Sequence, residues 1–239
     1  MIEILKKKQQ VYGEFNNGEI IENKPIGFPH EIGGFKGYSN LFYWAHATGI
    51  SNSTIGLHPH KGFEIMSYVI KGSIKHYDTL IQKWVNLEKG DVQIIQSGSG
   101  ISHSEAINKN ASIFQIWFDP NLEIYLKSNA NYKDYSSKVF KSDGKKKYII
   151  GEKSPVKIKS EKIEVFELNL SKDYIIENLY NKYISIYIIS GSIELEKQKA
   201  ETNDFIKMCN MKSVKIKILS SCKLFCVTSP INVSYKTYL

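Results

Sequence analysis

The sequence predicts an all-β protein, folded as a sandwich or as barrels. Short segments rich in β-branched and aromatic residues recur along the chain and are bounded by Gly, Asn, Asp or Ser. Turn dipeptides such as Gly72-Ser73 and Gly191-Ser192 separate several of these segments. No long segment has a convincing 3.6-residue apolar period, so no long helix is predicted. One short helix is predicted near 122–127. The clearest predicted strands are residues 65–70, 92–95, 113–118, 163–170 and 183–189.

An internal repeat indicates that the chain contains two related β-barrels. The sequence Tyr-Val-Ile-Lys-Gly-Ser-Ile at 68–74 resembles Tyr-Ile-Ile-Ser-Gly-Ser-Ile at 187–193, an offset of 119 residues. In the same way Gly90-Asp91-Val92 corresponds to Asn203-Asp204-Phe205, at an offset of 113. A polar, turn-rich stretch between the two halves is typical of a linker, so we predict domains over 1–130 and 131–239.

Composition limits the classes of function. With 239 residues and 42% hydrophobic residues, the chain can bury a substantial core. Its formal charge of +8 comes from the second predicted domain, which has 20 lysines and 12 acidic residues. A solvated lysine surface is the simplest interpretation. The chain has no Arg, which base recognition favours, so we expect no direct reading of a nucleic-acid sequence, although nonspecific phosphate contacts through lysine stay open.

The sequence also bears on location. No apolar stretch reaches the length of a membrane-spanning helix, so no membrane partner is predicted. The charged N-terminus has no apolar segment of the kind that secretory signals contain. The three cysteines, Cys209, Cys222 and Cys226, lack paired CxxC spacing, which argues against a disulfide framework or a zinc site. We therefore expect a reducing, cytoplasmic environment.

Two segments each contain two metal-ligating residues separated by one residue. His58 and His60 lie in GLHPHKGFE, and His103 and Glu105 lie in GSGISHSE. Because side chains at i and i+2 of a strand point to the same face, each pair converges. If the two strands are neighbours in a barrel, four ligands meet in its interior. A single His on a strand is more often structural, but two such pairs favour a divalent first-row metal.

The repeat provides an internal comparison for this interpretation. At the two offsets, the four candidate ligands correspond to Glu177, Leu179, Ile216 and Ile218, so none of the four residues is kept in the second half. All six histidines lie at or before residue 103. We therefore predict a second barrel that has lost any metal site.

The same motifs resemble a known family. HPHKGFE followed by YVIKG, GDVQIIQSGSGISHSE from Gly90 to Glu105, and IFQIWF at 113–118 are similar to the defining motifs of pirin-like cupins, over residues 40–120. The resemblance implies two cupin (jelly-roll) barrels in tandem, the first metal-binding and the second degenerate. It implies one divalent metal ion, for which Fe(II) is the first candidate and other first-row metals are alternatives. The implied ligands are His58, His60, His103 and Glu105.

The resemblance implies two alternative functions. The first is an oxidoreductase of the quercetin 2,3-dioxygenase type, in which a chelating aromatic substrate and O₂ react at the metal and Glu105 also acts as a general base. The second is a metal-dependent regulator that binds a transcription factor or a metabolic enzyme, with the lysine-rich half as its contact surface. An open cavity that reaches the metal would favour the enzyme.

Further residues are predicted around the site. Candidate substrate contacts are Phe42, Trp44, His46, Phe63, Phe114 and Gln115. For the first three, which share one strand face, packing in the core is the alternative. Gln115 on the face of Trp117 would need a hydrogen-bond partner. Many ordinary cupins have a ligand Glu five residues after the second His, a position that Ile65 occupies here. Glu64 lies only four residues after His60, so its parity is reversed and we expect it to point away from the histidines. His30 and His76 are expected to be surface or structural residues.

Overall fold

The computed structural model describes residues 1–238. Within them, strands dominate, with one α-helix, α1 (Leu122–Tyr125), and two short 3-10 turns, Lys7–Gln9 and Ser137–Val139. No helix in this part of the chain is long and apolar enough to cross a membrane. The first strands are β1 (Ile2–Leu5), β2 (Val11–Phe15), β3 (Ile20–Ile26), β4 (Leu41–Gly49), β5 (Ser53–His60), β6 (Glu64–Lys71), β7 (Ser73–Asp78), β8 (Val85–Glu88), β9 (Val92–Gln96), β10 (Ile101–Ile107), β11 (Ser112–Phe118) and β12 (Asn131–Tyr135). The later strands are β13 (Lys146–Ile150), β14 (Glu164–Leu170), β15 (Tyr174–Ile176), β16 (Lys182–Leu195), β17 (Gln198–Glu201), β18 (Phe205–Cys209) and β19 (Val214–Pro230).

The five segments predicted as strands correspond to β6, β9, β11, β14 and β16. The predicted short helix is α1, and the side chain of its N-cap residue Asn121 accepts a hydrogen bond from the Glu123 N–H. All pairs of strands are antiparallel, as expected for jelly-roll barrels. The predicted all-β fold is confirmed.

The chain forms two compact units. The N-terminal barrel consists of Gln10–Val139, Ile158–Ser160 and the described residues from Tyr235 on, and the C-terminal barrel consists of Met1–Gln9, Phe140–Lys157 and Glu161–Ser234. These units differ from the contiguous predicted domains 1–130 and 131–239. The difference arises from strand pairing, because β1 pairs with β18 and β12 pairs with β9. Neither pairing could be inferred from the polar stretch used to predict the boundary.

The N-terminal barrel contains two sheets. A seven-stranded sheet has the order β12-β9-β6-β11-β4-β3-β2, and a four-stranded sheet has the order β5-β10-β7-β8. The two strands that contain the candidate ligands, β5 and β10, are therefore hydrogen-bonded neighbours, with β5 at the edge of its sheet.

The interior of the N-terminal barrel is layered. One apolar cluster consists of Ile20, Ala47, Val69, Ile74, Leu87, Ile107, Ala111 and Ile113. A second consists of Phe42, Tyr43, Ala45, Phe63, Ile65, Ile95 and Ile101. Between the two clusters lies a layer of polar side chains, which point inward two residues along the strands from the apolar ones. On β11, for example, buried Gln115 lies between Ile113 and Trp117. A buried polar layer is informative, because apolar residues would fill this space at lower free energy.

The C-terminal barrel contains one eight-stranded sheet, in which the long strands β16 and β19 pair with each other. Its hydrophobic core cluster includes Leu179 and Ile216, at two of the positions that the repeat equates with metal ligands. Glu177, at a third such position, is exposed. The three positions that correspond to His58, His60 and His103 therefore contain no histidine in this barrel.

The repeat predicted from the sequence has the same backbone hydrogen bonds in both barrels. Val69 donates its N–H to Asp91 (3.1 Å) and accepts from Gly90 (2.8 Å). Ile188 likewise donates to Asp204 (3.0 Å) and accepts from Asn203 (2.7 Å). The offsets of 119 and 113 residues thus equate structurally matching positions.

The glycine of the repeated Gly-Ser pair is required in both copies. Gly72 and Gly191 have φ values of +71° and +87°, a region that favours glycine. A Cβ at Gly191 would also lie 2.3 Å from the Ser221 carbonyl oxygen. Other residues at these two positions would therefore strain the backbone.

Candidate metal centre

Three imidazole rings meet where β5 and β10 pair. His58 lies directly opposite His103 in the ladder, and His60 lies opposite Ile101. The ring centroids of the three histidines are 4.4 to 4.8 Å apart, and one ligand nitrogen from each lies within 4.8 Å of the others. His103 is fully buried, whereas His58 and His60 are half-buried. The cluster is therefore fixed on its inner side and reachable from solvent on its outer side.

Hydrogen bonds orient these rings. The Nδ1 of His58 lies 2.7 Å from the Gly56 carbonyl oxygen, so it carries the proton and leaves Nε2 with the lone pair. The Nε2 atoms of His60 and His103 lie only 2.9 Å apart. Burial, followed by the neighbouring histidines, lowers the pKa of His60 to about 3 and that of His103 to about 2. Both rings are thus neutral at pH 7, the form that binds metals.

Glu105, the fourth predicted ligand, is fully buried but lies outside the group of donor atoms within 4.8 Å of one another. The ladder between β5 and β10 shifts register between His103 and Glu105, because β5 has an extra residue at Gly56-Leu57. Gln115 donates a hydrogen bond of 2.6 Å to one carboxylate oxygen, and Ser67 donates a bond of 3.3 Å to the other. Glu105 thus borders the histidines and is held by the polar layer.

The residues present suit a divalent cation. Two facing Nε2 atoms can share only one proton, so at least one lone pair is directed at the other nitrogen, an arrangement that a cation would relieve. Neutral imidazoles with an adjacent carboxylate are the donors that first-row divalent metals prefer. These residues therefore fit a metal ion that His58, His60 and His103 would hold, with Glu105 beside them.

Comparison with known proteins finds similarity to one family. A profile of the Pirin family matches residues 36–118, which include all four candidate ligands. The quercetin 2,3-dioxygenase of Escherichia coli K12 is 25% identical over 222 residues, which are 89% of this chain and 93% of that protein. A Zymomonas mobilis protein is 48% identical over 69 residues, but this match spans only 28% of this chain and 28% of that protein.

Solved structures agree over the whole fold. YhhW from Escherichia coli superposes with a TM-score of 0.84 at 22% identity, covering 98% of this chain and 100% of that one. The chain thus resembles pirin-like cupin proteins, in sequence over residues 36–118 and in fold over nearly its whole length. The bacterial pirin YhhW in complex with nickel(II) superposes with a TM-score of 0.81 at 22% identity, over 96% of this chain and 99% of that one. Such likeness establishes the fold.

Aromatic residues of the pirin-like motifs border the histidines. The rings of Phe63 and Trp117 stack with centroids 4.7 Å apart, and each lies near the ring of His60, at 5.3 and 5.2 Å. Phe42 packs edge-on against Phe63 at 5.4 Å. Of the predicted substrate contacts, Phe42, Phe63 and Gln115 therefore lie on the side of the metal centre. Trp117 contacts His60 more directly than Phe42 does.

The other three predicted contacts lie elsewhere. In the ladder between β4 and β11, His46 pairs with Phe114 and Trp44 with Ile116, whereas Gln115 pairs with Ala45. Side chains alternate along a strand, so Trp44, His46 and Phe114 occupy the face opposite to Gln115. The prediction that they line the pocket is therefore wrong. It failed because both faces of β4 are buried, and burial alone does not show which face is the interior.

Glu64 points away from the histidines, as the spacing predicts. Its carboxylate is fully buried and accepts hydrogen bonds from the backbone N–H of Lys159 (2.7 Å) and of Ser160 (2.8 Å). The Ser160 hydroxyl (2.6 Å) and the Gln96 amide (2.8 Å) also donate to it. Glu64 therefore anchors the short segment 158–160 within the N-terminal barrel.

Two further residues belong to the polar layer. His76 was expected to be a surface or structural residue, and the second alternative agrees with the structure: it is fully buried and its Nε2 lies 2.7 Å from a carboxylate oxygen of Asp78, which is equally buried. The signal in the sequence was the spacing of one residue, as for the ligands themselves. Gln93, also fully buried, faces the same interior because it pairs with Ser67.

A group that was not predicted is Glu22 on β3. It is nearly buried, lies 3.9 Å from the Lys24 ammonium group and accepts a 3.5 Å hydrogen bond from the Tyr43 hydroxyl. Burial raises the pKa of Glu22 to about 7, against the opposing effect of Lys24. The negative charge of Glu105 raises it further. Glu22 thus retains a proton near neutral pH inside the same barrel.

Proposed function

We propose that this pirin-like protein binds one divalent metal ion through His58, His60 and His103, with Glu105 as the fourth ligand. The observation that carries the proposal is the convergence of three imidazole nitrogens within 4.8 Å on two paired strands. Fe(II) is the metal we expect first, and other first-row metals suit the same donors. The nickel(II) complex of the bacterial pirin YhhW supports a site of this kind in the shared fold.

We further propose that the protein is a dioxygenase acting on a flavonol-type substrate that chelates the metal through adjacent oxygens. Support comes from the name of the Escherichia coli relative, a quercetin 2,3-dioxygenase. A bound divalent ion would supply Lewis acidity toward the substrate oxygens and a position for O₂. The substrate enters from the solvent side, since His58 and His60 are only half-buried.

Residues of the chain have defined roles in this proposal. Glu105 takes the hydroxyl proton of the substrate at a carboxylate oxygen. The hydrogen bond from Gln115 orients that carboxylate, and the indole N–H of Trp117 in turn donates to the Gln115 carbonyl oxygen (3.2 Å). The stacked rings of Phe63 and Trp117 offer a planar aromatic substrate a matching surface next to His60.

The test is anaerobic iron reconstitution followed by quercetin turnover under O₂. We expect about one iron per chain, and substrate loss coupled to O₂ consumption. The double variant His58→Ala/His60→Ala should lose both, while His30→Ala, at an exposed position, should retain both. A fully loaded protein without turnover would refute the dioxygenase and favour the metal-dependent regulator, whereas turnover in the double variant would refute the site.

A further inference from the structure

We infer that His76 and Asp78 form a positioning pair for the metal centre, which supplies the hydrogen-bond acceptor for the Nδ1 proton of His103. The inference rests on the proposed metal binding. It assigns a role to two buried residues that are not themselves metal ligands.

The pairing of β7 with β10 brings the relevant side chains together. Asp78 lies directly opposite His103, and His76 lies directly opposite Glu105. All four are fully buried, and cross-strand partners share one face of the ladder. The pair formed by His76 and Asp78 therefore backs both of the ligands that β10 provides.

Asp78 fixes the protonation pattern of His76. One of its carboxylate oxygens accepts backbone N–H groups from Leu80 and Ile81, both at 2.8 Å. The other lies 2.7 Å from the Nε2 of His76, which must therefore carry the proton. In the neutral ring this leaves Nδ1 of His76 as an acceptor. Stacking on Tyr132, with centroids 4.5 Å apart and planes only 2° from parallel, holds the ring in place.

His103 has the complementary requirement. Its Nε2 faces His60 and the proposed metal position, so the proton of the neutral ring belongs on Nδ1. Among residues 1–238, no side chain or backbone group hydrogen-bonds to the buried Nδ1 of His103 or to that of His76. The two rings are neighbours, with centroids 5.5 Å apart. A buried donor and a buried acceptor on adjacent rings satisfy each other, directly after a small ring rotation or through one water molecule.

The consequence concerns the metal. A histidine that binds a metal nearly always donates its other N–H to a partner, which fixes its tautomer and raises its basicity. His58 has such a partner in the Gly56 carbonyl group. We assign the equivalent role for His103 to His76, with Asp78 acting through His76. Loss of such a partner typically weakens metal binding by about 10- to 100-fold.

Two amide substitutions separate this role from a purely structural one. In His76→Gln, the amide nitrogen lies near the position of Nε2 and can still donate to Asp78, but no acceptor remains near the Nδ1 position. In His76→Asn, an acceptor remains near the Nδ1 position, but Asp78 loses its donor. Both variants, the wild type, His103→Ala and the exposed control His30→Gln are titrated with Co²⁺, and each apo form is unfolded in urea.

We expect His76→Gln to bind Co²⁺ about 10- to 100-fold more weakly than the wild type with nearly unchanged apo stability. His76→Asn should lose apo stability but keep an affinity closer to that of the wild type. Affinities that simply follow stability in both variants, or wild-type affinity in His76→Gln, would overturn the inference. If the wild type and His103→Ala bind Co²⁺ equally, the metal site itself is wrong and the inference falls with it.

A measurement on the wild type serves if either variant fails to fold. In the Co²⁺-loaded protein, the Nδ1 proton of His103 should give a hyperfine-shifted NMR signal that exchanges slowly with water, because it is buried and hydrogen-bonded. The corresponding proton of half-buried His58 should exchange faster. If no protected signal belongs to His103, its Nδ1 proton has no acceptor and the positioning pair is refuted.

Discussion

Replacing Glu64 by Gln is expected to destabilise the N-terminal barrel strongly although the two side chains have the same shape. The fully buried carboxylate accepts four hydrogen bonds, two at each oxygen. An amide has one oxygen and one NH₂ group. Whichever way it turns, its NH₂ group faces a backbone N–H, of Lys159 or of Ser160.

The magnitude follows from this mismatch. One buried backbone N–H left without an acceptor costs about 1–3 kcal/mol. The bonds that remain become neutral rather than charge-assisted, and each such bond is weaker by up to about 1 kcal/mol. We therefore expect a loss of about 3 kcal/mol, a large share of the stability of an ordinary domain.

The assay is urea denaturation of the apo protein, with the exposed Glu88→Gln as the control, which should lie within about 0.5 kcal/mol of the wild type. The metal content of folded Glu64→Gln should stay at that of the wild type, because Glu64 is not a ligand. A change in stability no larger than that of the control would refute the reasoning about the carboxylate. Loss of metal from a folded variant would refute its exclusion from the ligand set.

Three further predictions follow from the structure. Because burial raises the pKa of Glu22 from 4.5 to about 7, the folded protein retains this proton longer than the unfolded chain. Stability should therefore fall by up to about 3 kcal/mol as pH rises from about 4.5 to 7, and Glu22→Gln should flatten this slope in urea titrations across that range. Gly98→Ala should destabilise the protein by more than about 1 kcal/mol, because φ at Gly98 is +48° and the added Cβ would lie 2.5 Å from the Ser128 carbonyl oxygen. Gly56→Ala is the control and should not destabilise, because no atom lies within 4 Å of its added Cβ. Equal melting temperatures of the two variants would contradict this prediction. Bound Cu²⁺ should quench the fluorescence of Trp117 most, because the Trp117 ring lies 5.2 Å from the ring of His60. Trp117→Phe should therefore reduce the Cu²⁺-induced quenching more than Trp84→Phe does. The reverse order would place the metal elsewhere.

The period of two along a strand explains what could be predicted from the sequence. It placed His58 and His60 on one face, because that conclusion depends only on spacing within β5. Glu64 lies on β6, and its orientation was predicted from its offset of one residue from the ligand position of ordinary cupins. The same rule places His76 and Asp78 on one face, but their HxD spacing lies outside the two motifs that contain the candidate ligands.

What could not be predicted depends on contacts between strands. Trp44 and His46 are buried or half-buried like their neighbours on β4, and only the ladder with β11 shows that they lie opposite to Gln115. The extra residue at Gly56-Leu57 shifts the register beside Glu105, and no local pattern announces it. The pairing of β1 with β18 is equally invisible to local patterns, since it joins residues about 200 positions apart.

The most direct test of the account is an anomalous-diffraction map from crystals loaded with Fe(II) or nickel(II). We predict a single strong peak in the N-terminal barrel, bonded to nitrogen atoms of His58, His60 and His103 and to a carboxylate oxygen of Glu105. A peak bound by other residues, or fully loaded crystals in which these four side chains contact no metal, would contradict it.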